Sequence, residues 1–293
     1  MGLILKDFGE HQMYLHENDA GISKTLKKPH GYQNREIEFM SLIREHVKPG
    51  QICFDIGANI GYLTLIFAKL IGESGRVYAV EPNKKNMKVL KKNIILNNYQ
   101  NIITTVDKLA ISNKNGEAKF FLSDSSNLGS LKEISSSNGT TKTVKTVTID
   151  EYLKDKDLPD NYEMDAEGYE VHILNGMHKT AKKSKSGTKI FMEVHPHLYD
   201  KKLNMDRALN RMVELGFFFK YVISAAIAEP KLFKKLGYKP SIVHKSSGWY
   251  RGTYENVKNK DAIYLCSYGH KEHIPERNRT TNKIVRYIIL EKG

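Results

Sequence analysis

Apolar residues recur along the chain in two alternating rhythms. Phe39, Leu42, Ile43 and Val47 fall at helical spacing within residues 35–47, and Lys48-Pro49-Gly50 stops the helix they define. Residues 51–56 form a short apolar run of strand length, followed by a glycine-containing turn and a strongly apolar helix over 62–71 that Gly72 closes. A second strand is predicted at 76–80, ending at Glu81-Pro82. Asn83 is suited to cap a helix through Leu96 with Met87, Leu90 and Ile94 on one face. A third strand is predicted at 102–106, ahead of Ala110-Ile111-Ser112. Beyond Asn115-Gly116 the pattern changes: 118–122 and 143–148 read as strands flanking a Ser/Asn/Gly-rich loop at 123–139, either a mobile cover for a site or plain connection. The alternation resumes with a strand at 162–165, a helix at 168–175, a strand at 189–194, a helix at 204–215 and a further strand after Gly216. Strands alternating with helices at these intervals mean βαβ units and a parallel sheet, an α/β protein.

Composition narrows the class. The 293 residues are 40% apolar and 10% aromatic, enough to bury a core, which excludes a wholly disordered chain. No apolar run approaches the ~18 residues that would cross a bilayer; the longest candidate, 63–71, is broken by Thr64 and Lys69. The first residues show no basic stretch ahead of apolar ones and meet Asp7 at once, so no signal peptide is predicted, and Lys6 stands where a myristoylation motif has Ser or Thr. Cys53 and Cys266 each lie in an apolar stretch and read as buried free thiols. These features predict a cytoplasmic protein without a transmembrane segment.

The net charge of +13 is uneven: residues 231–293 carry 14 Lys+Arg against 5 Asp+Glu. That segment either invites an acidic partner such as nucleic acid or serves solubility alone; the lack of a continuous basic block with interleaved stacking aromatics favours solubility.

The most informative stretch is Asp55-Ile-Gly57-Ala58-Asn59-Ile-Gly61-Tyr-Leu-Thr64. It lies between a predicted strand and a predicted helix, where parallel sheets bind ligands, and its small residues let backbone approach a ligand closely. A dinucleotide fingerprint requires its third glycine where this chain has Tyr62; the special positions here are 57, 59 and 61, which argues against NAD. Glu81, directly after the second strand, can accept both hydroxyls of a ribose, so the two features together point to a nucleoside.

Asp55 to Thr64 followed by Val77-Tyr-Ala-Val-Glu-Pro82 resembles the FkbM-type methyltransferases, a branch of the class I S-adenosylmethionine-dependent enzymes. Val147-Thr-Ile-Asp150-Glu-Tyr-Leu153 is similar to the family's Val-x-Leu-Asp segment. Met164-Asp165-Ala-Glu167-Gly168-Tyr-Glu170 resembles its Ile-Asp-Val-Glu-Gly-x-Glu signature, and Ile190-Phe-Met-Glu193-Val-His195-Pro196 its last motif. The four matches keep the family's order across residues 35–222. The chain departs where the family has apolar residues and a Lys just before the Asp: Asn161-Tyr162-Glu163 stand there, which removes a positive charge beside the carboxylates. Residues 229–293 match nothing in the pattern.

The resemblance implies a class I methyltransferase fold: a doubly wound, Rossmann-like sheet of seven strands, mostly parallel with an antiparallel edge. Residues 1–46 would cap the site, 47–228 form the S-adenosylmethionine-binding core, and 229–293 make a basic extension. It implies that Asp55, Gly57, Ala58, Asn59 and Gly61 hold the methionine portion of the cofactor, that Glu81 takes the ribose and that Asp107 reaches the adenine. Methyl transfer to oxygen needs an aligned acceptor and a base; Asp165 is expected to position cofactor or acceptor, and His195, with an ordinary pKa near ~6.5, to be the base. The alternative is that Glu167 and Glu170 open a helix and serve only its dipole, and the chain offers Asp165 and Glu167 no third ligand at metal spacing, so no metal is expected. His172, His178 and His197 read as surface residues. The implied reaction is O-methylation of a sugar, glycan or small natural product. The alternatives are an RNA methyltransferase using the basic tail, or a nucleoside-binding module without turnover.

Overall fold

A computed structural model describes residues 2–246, 248–274 and 277–293, without the side chains of residues 106 and 107. The chain opens with a hairpin of β1 (Leu3–Asp7) and β2 (Gln12–His16), the short helix α1 (Ile22–Leu26) and the longer α2 (Ile37–His46). Next come β3 (Ile52–Ile56), α3 (Tyr62–Ile71), β4 (Arg76–Glu81), α4 (Lys84–Leu96) and β5 (Ile103–Asp107). A separate sheet is made from β6 (Leu109–Ile111), β7 (Gly116–Ser123) and β8 (Ser137–Val147) in the order β6-β8-β7. The main chain path continues through α5 (Ile149–Tyr152), β9 (Asn161–Met164), α6 (Glu170–Asn175), α7 (His178–Lys183), β10 (Lys189–Glu193), α8 (Met205–Glu214) and β11 (Phe217–Ser224). It ends with α9 (Lys231–Lys235), β12 (Ile242–Ser246), β13 (Trp249–Glu255), α10 (Asn259–Leu265), a small hairpin of β14 (Glu272–Ile274) and β15 (Arg279–Thr281), and β16 (Val285–Lys292).

The main sheet has the order β12-β13-β11-β16-β10-β9-β3-β4-β5. The run from β10 to β5 is parallel, as the alternation of strands and helices predicts. From β16 outward every pairing is antiparallel. The sheet therefore has nine strands rather than the expected seven, because β12 and β13 extend its antiparallel side. The segment 229–293, read in the sequence as an extension, also supplies β16, which sits between β10 and β11 with Tyr287 to Leu290 buried. An all-apolar stretch such as Tyr287-Ile-Ile-Leu290 needs cover on both faces, and only an interior place in the sheet provides it.

Side chains of each parallel strand alternate between two cores. Phe54, Ile56, Tyr78 and Val80 pack on one side with Tyr162, Met164 and Ile190, while Cys53, Val77 and Ala79 meet α2, α3 and α4 on the other. The amino-terminal helix is anchored to the carboxyl-terminal strands: the Ile37 amide donates to Ser246 Oγ at 3.2 Å, and Glu38 pairs with Arg251 of β13 in full burial. Chain order in the parallel sheet reverses between β3 and β9, so a crevice opens at the carboxyl ends of these two strands.

Candidate active site

That crevice is a cavity with about 1000 Å³ of empty space, partly open to solvent, lined by residues from the β3–α3 turn, the end of β4, the end of β9 and β16. Gly57, Asn59 and Gly61 all take left-handed conformations, with φ of 99°, 50° and 97°. This is the physical origin of the every-second-residue spacing. A Cβ on Gly57 would lie 2.4 Å from the carbonyl oxygen of Asp165, so alanine is excluded there by both backbone angle and space. The amides of Gly57 and Ala58 donate to the Val80 carbonyl and pin the turn to β4. Gly57, Ala58 and Asn59 line the cavity; Gly61 does not, and the atom nearest a Cβ there is Leu90 Cδ1 at 2.6 Å, so it serves the packing of α3 against α4.

Asp55 and Glu81 take their places from the strands. Asp55 is almost wholly buried, accepts a hydrogen bond from the Thr64 hydroxyl and stands in register beside Glu163 of β9. Burial pushes the Asp55 carboxyl up to about 6, against hydrogen bonds from Thr64 and Glu163. Glu163 is driven well above its usual range by burial and by the neighbouring Asp55 and Asp165 carboxylates. Glu81 ends β4, and its two oxygens accept separately from the amides of Asn59 (2.9 Å) and Asn83 (2.7 Å). Burial raises it to about 7. Each oxygen keeps accepting capacity toward the cavity. Asp107 pairs in register with Glu81 at the end of β5, and its side chain lies outside the described residues.

The loop after β7 walls one side of the cavity through Ser126, Asn127, Gly129, Ser130 and Leu131. Asp19 holds it: one oxygen accepts from the amides of Gly21 and Ser126, the other from the Ser23 amide and the Ser126 hydroxyl, all at 2.8–2.9 Å. Asn86 and the Glu167 carbonyl fix the same loop from below.

The carboxyl ends of β9 and β10 carry a dense charge cluster. His195 is buried, with Nδ1 2.8 Å from Glu170 and Nε2 3.4 Å from Glu167, 3.5 Å from Glu193 and 3.9 Å from Asp165. Tyr199 donates to the second Glu170 oxygen at 2.9 Å. Burial and Lys283 pull the imidazole down, but Glu170 and Glu167 outweigh them and raise it to about 9. That direction favours the imidazolium at neutral pH; both ring nitrogens face carboxylates, and His195 is not among the residues lining the cavity. His195, expected from the sequence to be the base, lies outside the cavity lining. Asp165, which does line the cavity, is pushed well above the usual carboxylate range by burial and by Glu193 and Glu167. Burial works against ionised Glu193, yet Arg286 and Lys283, at 3.4 and 2.6 Å, hold it well below its usual value.

Arg35, Glu36, Lys283, Arg286 and Tyr287 complete this side and escaped the sequence reading. Glu36 Oε1 is shared by the guanidinium groups of Arg35 and Arg286, each at 2.9 Å. The sequence signalled only that the Lys expected just before Asp165 is missing, with Asn161-Tyr162-Glu163 in that stretch. Five buried polar atoms of residues lining the cavity, Arg35 Nε, Asn59 Oδ1, Asn127 Oδ1, Asp165 Oδ1 and the Tyr287 hydroxyl, have no hydrogen-bond partner among the described residues. A ligand's polar groups are the natural complement to such atoms.

The model of the methyltransferase FkbM domain matches residues 55–219. Protein-L-isoaspartate O-methyltransferase 1 of Arabidopsis thaliana is 36% identical over 61 residues, 21% of this chain and 25% of that protein. The corresponding Triticum aestivum enzyme is 31% identical over 61 residues with the same shares. The matched stretch thus spans about a quarter of the length of these curated relatives. Among solved structures, the methyltransferase FkbM from Methylobacillus flagellatus KT is similar at 17% identity and a TM-score of 0.41, over 70% of this chain and 43% of that one. Precorrin-6y C5,15-methyltransferase from Geobacter metallireducens GS-15 is similar at 11% identity and a TM-score of 0.46, over 98% and 100% of the two chains.

Proposed function

The chain belongs to the FkbM methyltransferase family and uses S-adenosylmethionine, and from that premise we propose that it methylates a hydroxyl oxygen of a sugar, glycan or small natural product. The observation that carries this reading is the convergence of the glycine turn, Glu81 and Asp165 on one cavity at the sheet's switch point. Asn59 Oδ1 and Asp165 Oδ1, buried there without a hydrogen-bond partner among the described residues, fit a polar ligand. When bound, the cofactor supplies a methyl carbon made electrophilic by its sulfonium.

In this reading Glu81, preset by two backbone amides, accepts the ribose hydroxyls. Asp55 and the backbone of Gly57, Ala58 and Asn59 hold the methionine portion, Gly61 keeps the turn closed, and Asp107 serves the adenine. The base is Asp165, the member of the charge cluster that faces the cavity. A raised pKa makes a carboxylate a stronger base once it is ionised, and the His195 charge beside it opposes the rise that burial, Glu193 and Glu167 impose. His195 is a positioning residue. Paired with Glu170 on one side, it holds its other nitrogen against Asp165, Glu167 and Glu193 and offsets their mutual repulsion.

The basic tail gives little support to an RNA substrate, because several of its charges are spent inside the fold: Arg251 on Glu38, Lys283 on Glu193, and Arg286 on Glu36 and Glu193. The same reading assigns the enzyme to the cytoplasm, supported by two buried free thiols; no described helix is long and apolar enough to cross a membrane.

Calorimetry with S-adenosylhomocysteine tests the cofactor side: wild type binds, while folded Asp55→Ala and Glu81→Ala proteins bind more weakly. Absence of binding by folded wild type would remove the reading. For the chemical step, Asp165→Asn is expected to lower kcat by about 10²–10⁴-fold, measured as labelled methyl transfer to a hydroxylated acceptor pool, with nucleoside affinity little changed. Undiminished turnover in Asp165→Asn would assign the base elsewhere.

A further inference from the structure

We propose that Arg35, in the segment leading into α2, binds the α-carboxylate of the methionyl portion of the cofactor. The inference rests on the methyl-donor reading of the cavity and adds to it a residue that no motif marks.

Arg35 is the single Lys, Arg or His among the described residues lining the cavity, which also presents Glu36, Asp55, Glu81, Glu163, Asp165 and Glu193. A zwitterion with its ammonium toward such carboxylates needs a counter-charge for its carboxylate, and Arg35 alone offers one in the wall. The guanidinium is not fully used. Its Nη2 meets Glu36 Oε1 at 2.9 Å, but Arg286 claims the same oxygen at the same distance. Among the ion pairs of the described residues, Arg35, Arg286 and Lys283 share two carboxylates, Glu36 and Glu193, so Arg35 has no carboxylate to itself. Arg35 Nε is buried and has no hydrogen-bond partner among the described residues.

The position suits the methionyl end rather than the nucleoside end. The Arg35 Cζ lies 5.5 Å from the ring centroid of Tyr62, the residue that opens α3 directly after the glycine turn. Tyr62 is in turn held edge-on by Tyr32 at 5.4 Å between centroids, so the guanidinium rests on a fixed aromatic face. Glu81, the ribose residue of this reading, ends β4 on the far side of β3. A planar fork with a free N–H, laid against the start of α3, is suited to grip a carboxylate.

Two nucleosides separate this role from a structural one. S-adenosylhomocysteine carries the amino-acid tail, and 5′-methylthioadenosine keeps the thioether and ribose without it. Calorimetry on the full chain should show that Arg35→Met weakens S-adenosylhomocysteine by about tenfold or more and leaves 5′-methylthioadenosine within about twofold, with Arg35→Lys intermediate. Glu81→Ala, run beside it, should weaken both ligands because both carry the ribose. Equal loss of both ligands in Arg35→Met would mean a distorted site and would overturn the proposal, as would unchanged S-adenosylhomocysteine affinity. If wild type binds neither nucleoside, the methyl-donor reading fails and this inference with it. If Glu81→Ala loses both ligands while Arg35→Met loses neither, Arg35 falls alone.

Discussion

Glu81 and Glu163 are both buried carboxyls titrating above their usual range, yet they answer opposite needs. Glu81 accepts two backbone amide protons, so an amide in its place would turn an NH₂ toward one of those donors. Glu163 stands beside Asp55 and bonds to it as the protonated partner, a role an amide NH₂ can fill. Glu81→Gln is therefore expected to cost about 1–3 kcal/mol of stability, the loss for a buried donor left unpaired, whereas Glu163→Gln should cost less than about 1 kcal/mol. Urea denaturation at neutral pH compares them, and equal losses would mean that Glu163 is ionised in the fold. The pH dependence has a definite sign. Burial and its carboxylate neighbours hold the folded-state pKa of Glu163 well above the usual carboxylate range, so its contribution to stability is complete below its ordinary pKa of about 4.3 and declines as pH rises toward the folded pKa. Glu163→Gln lacks this loss, and its stability relative to wild type should grow as pH rises above the ordinary glutamate pKa of about 4.3. His195 adds a second decline: its pKa is raised from 6.5 to about 9, so its stabilising charge is present below 6.5 and fades through about 9.

At the scale of elements, the cavity is a rigid floor with a tethered wall. The floor comes from β3, β4 and β9, whose parallel pairing fixes Asp55 beside Glu163 and Glu81 beside Asp107. This part was legible because a βαβ unit with a glycine turn writes itself into sequence: apolar runs of strand length, small residues where backbone must turn left, an acid at the strand end. The wall, Ser126 to Leu131, was legible only as an ambiguous Ser- and Gly-rich loop, since what orders it lies far away in sequence at Asp19. Asp19→Ala removes four acceptor contacts at once. The expected result is faster amide exchange over residues 124–131 and weaker nucleoside binding, with the far side of the sheet, β11 to β13, unchanged. Exchange mass spectrometry reads both regions in one experiment. Full protection of 124–131 in the variant would mean that Asn86 and Ser130 hold the wall without the latch.

For the whole molecule, the decisive fact is that both ends of the chain close on the site. The last strand lies inside the sheet, and the charges Lys283 and Arg286 reach Glu193 and Glu36 from just before and within it. Isolated basic residues in a lysine-rich tail look solvated in sequence, which is why neither was foreseen; their partners become visible only once β16 is placed between β10 and β11. It follows that deleting residues 231–293 would remove an interior strand, so loss of activity in that truncation says nothing about RNA. A sharper probe of closure is the buried pair of Glu38 in α2 and Arg251 in β13, 2.5 Å apart with 0% and 2% of their side chains exposed. Arg251 also donates to the Ala225 carbonyl and Ser246, so it fastens three segments to the amino-terminal helix. Arg251→Met leaves Glu38 buried without its counter-charge and should destabilise by about 3–5 kcal/mol. Adding Glu38→Gln to that variant removes the stranded charge and should recover a large part of the loss, since a buried pair replaced by uncharged groups is often close to neutral. A double-mutant cycle by urea denaturation measures the coupling. Additive losses would show that the two ends are held by packing of α2 on β12 and β13 alone, and that the charges only occupy space within it.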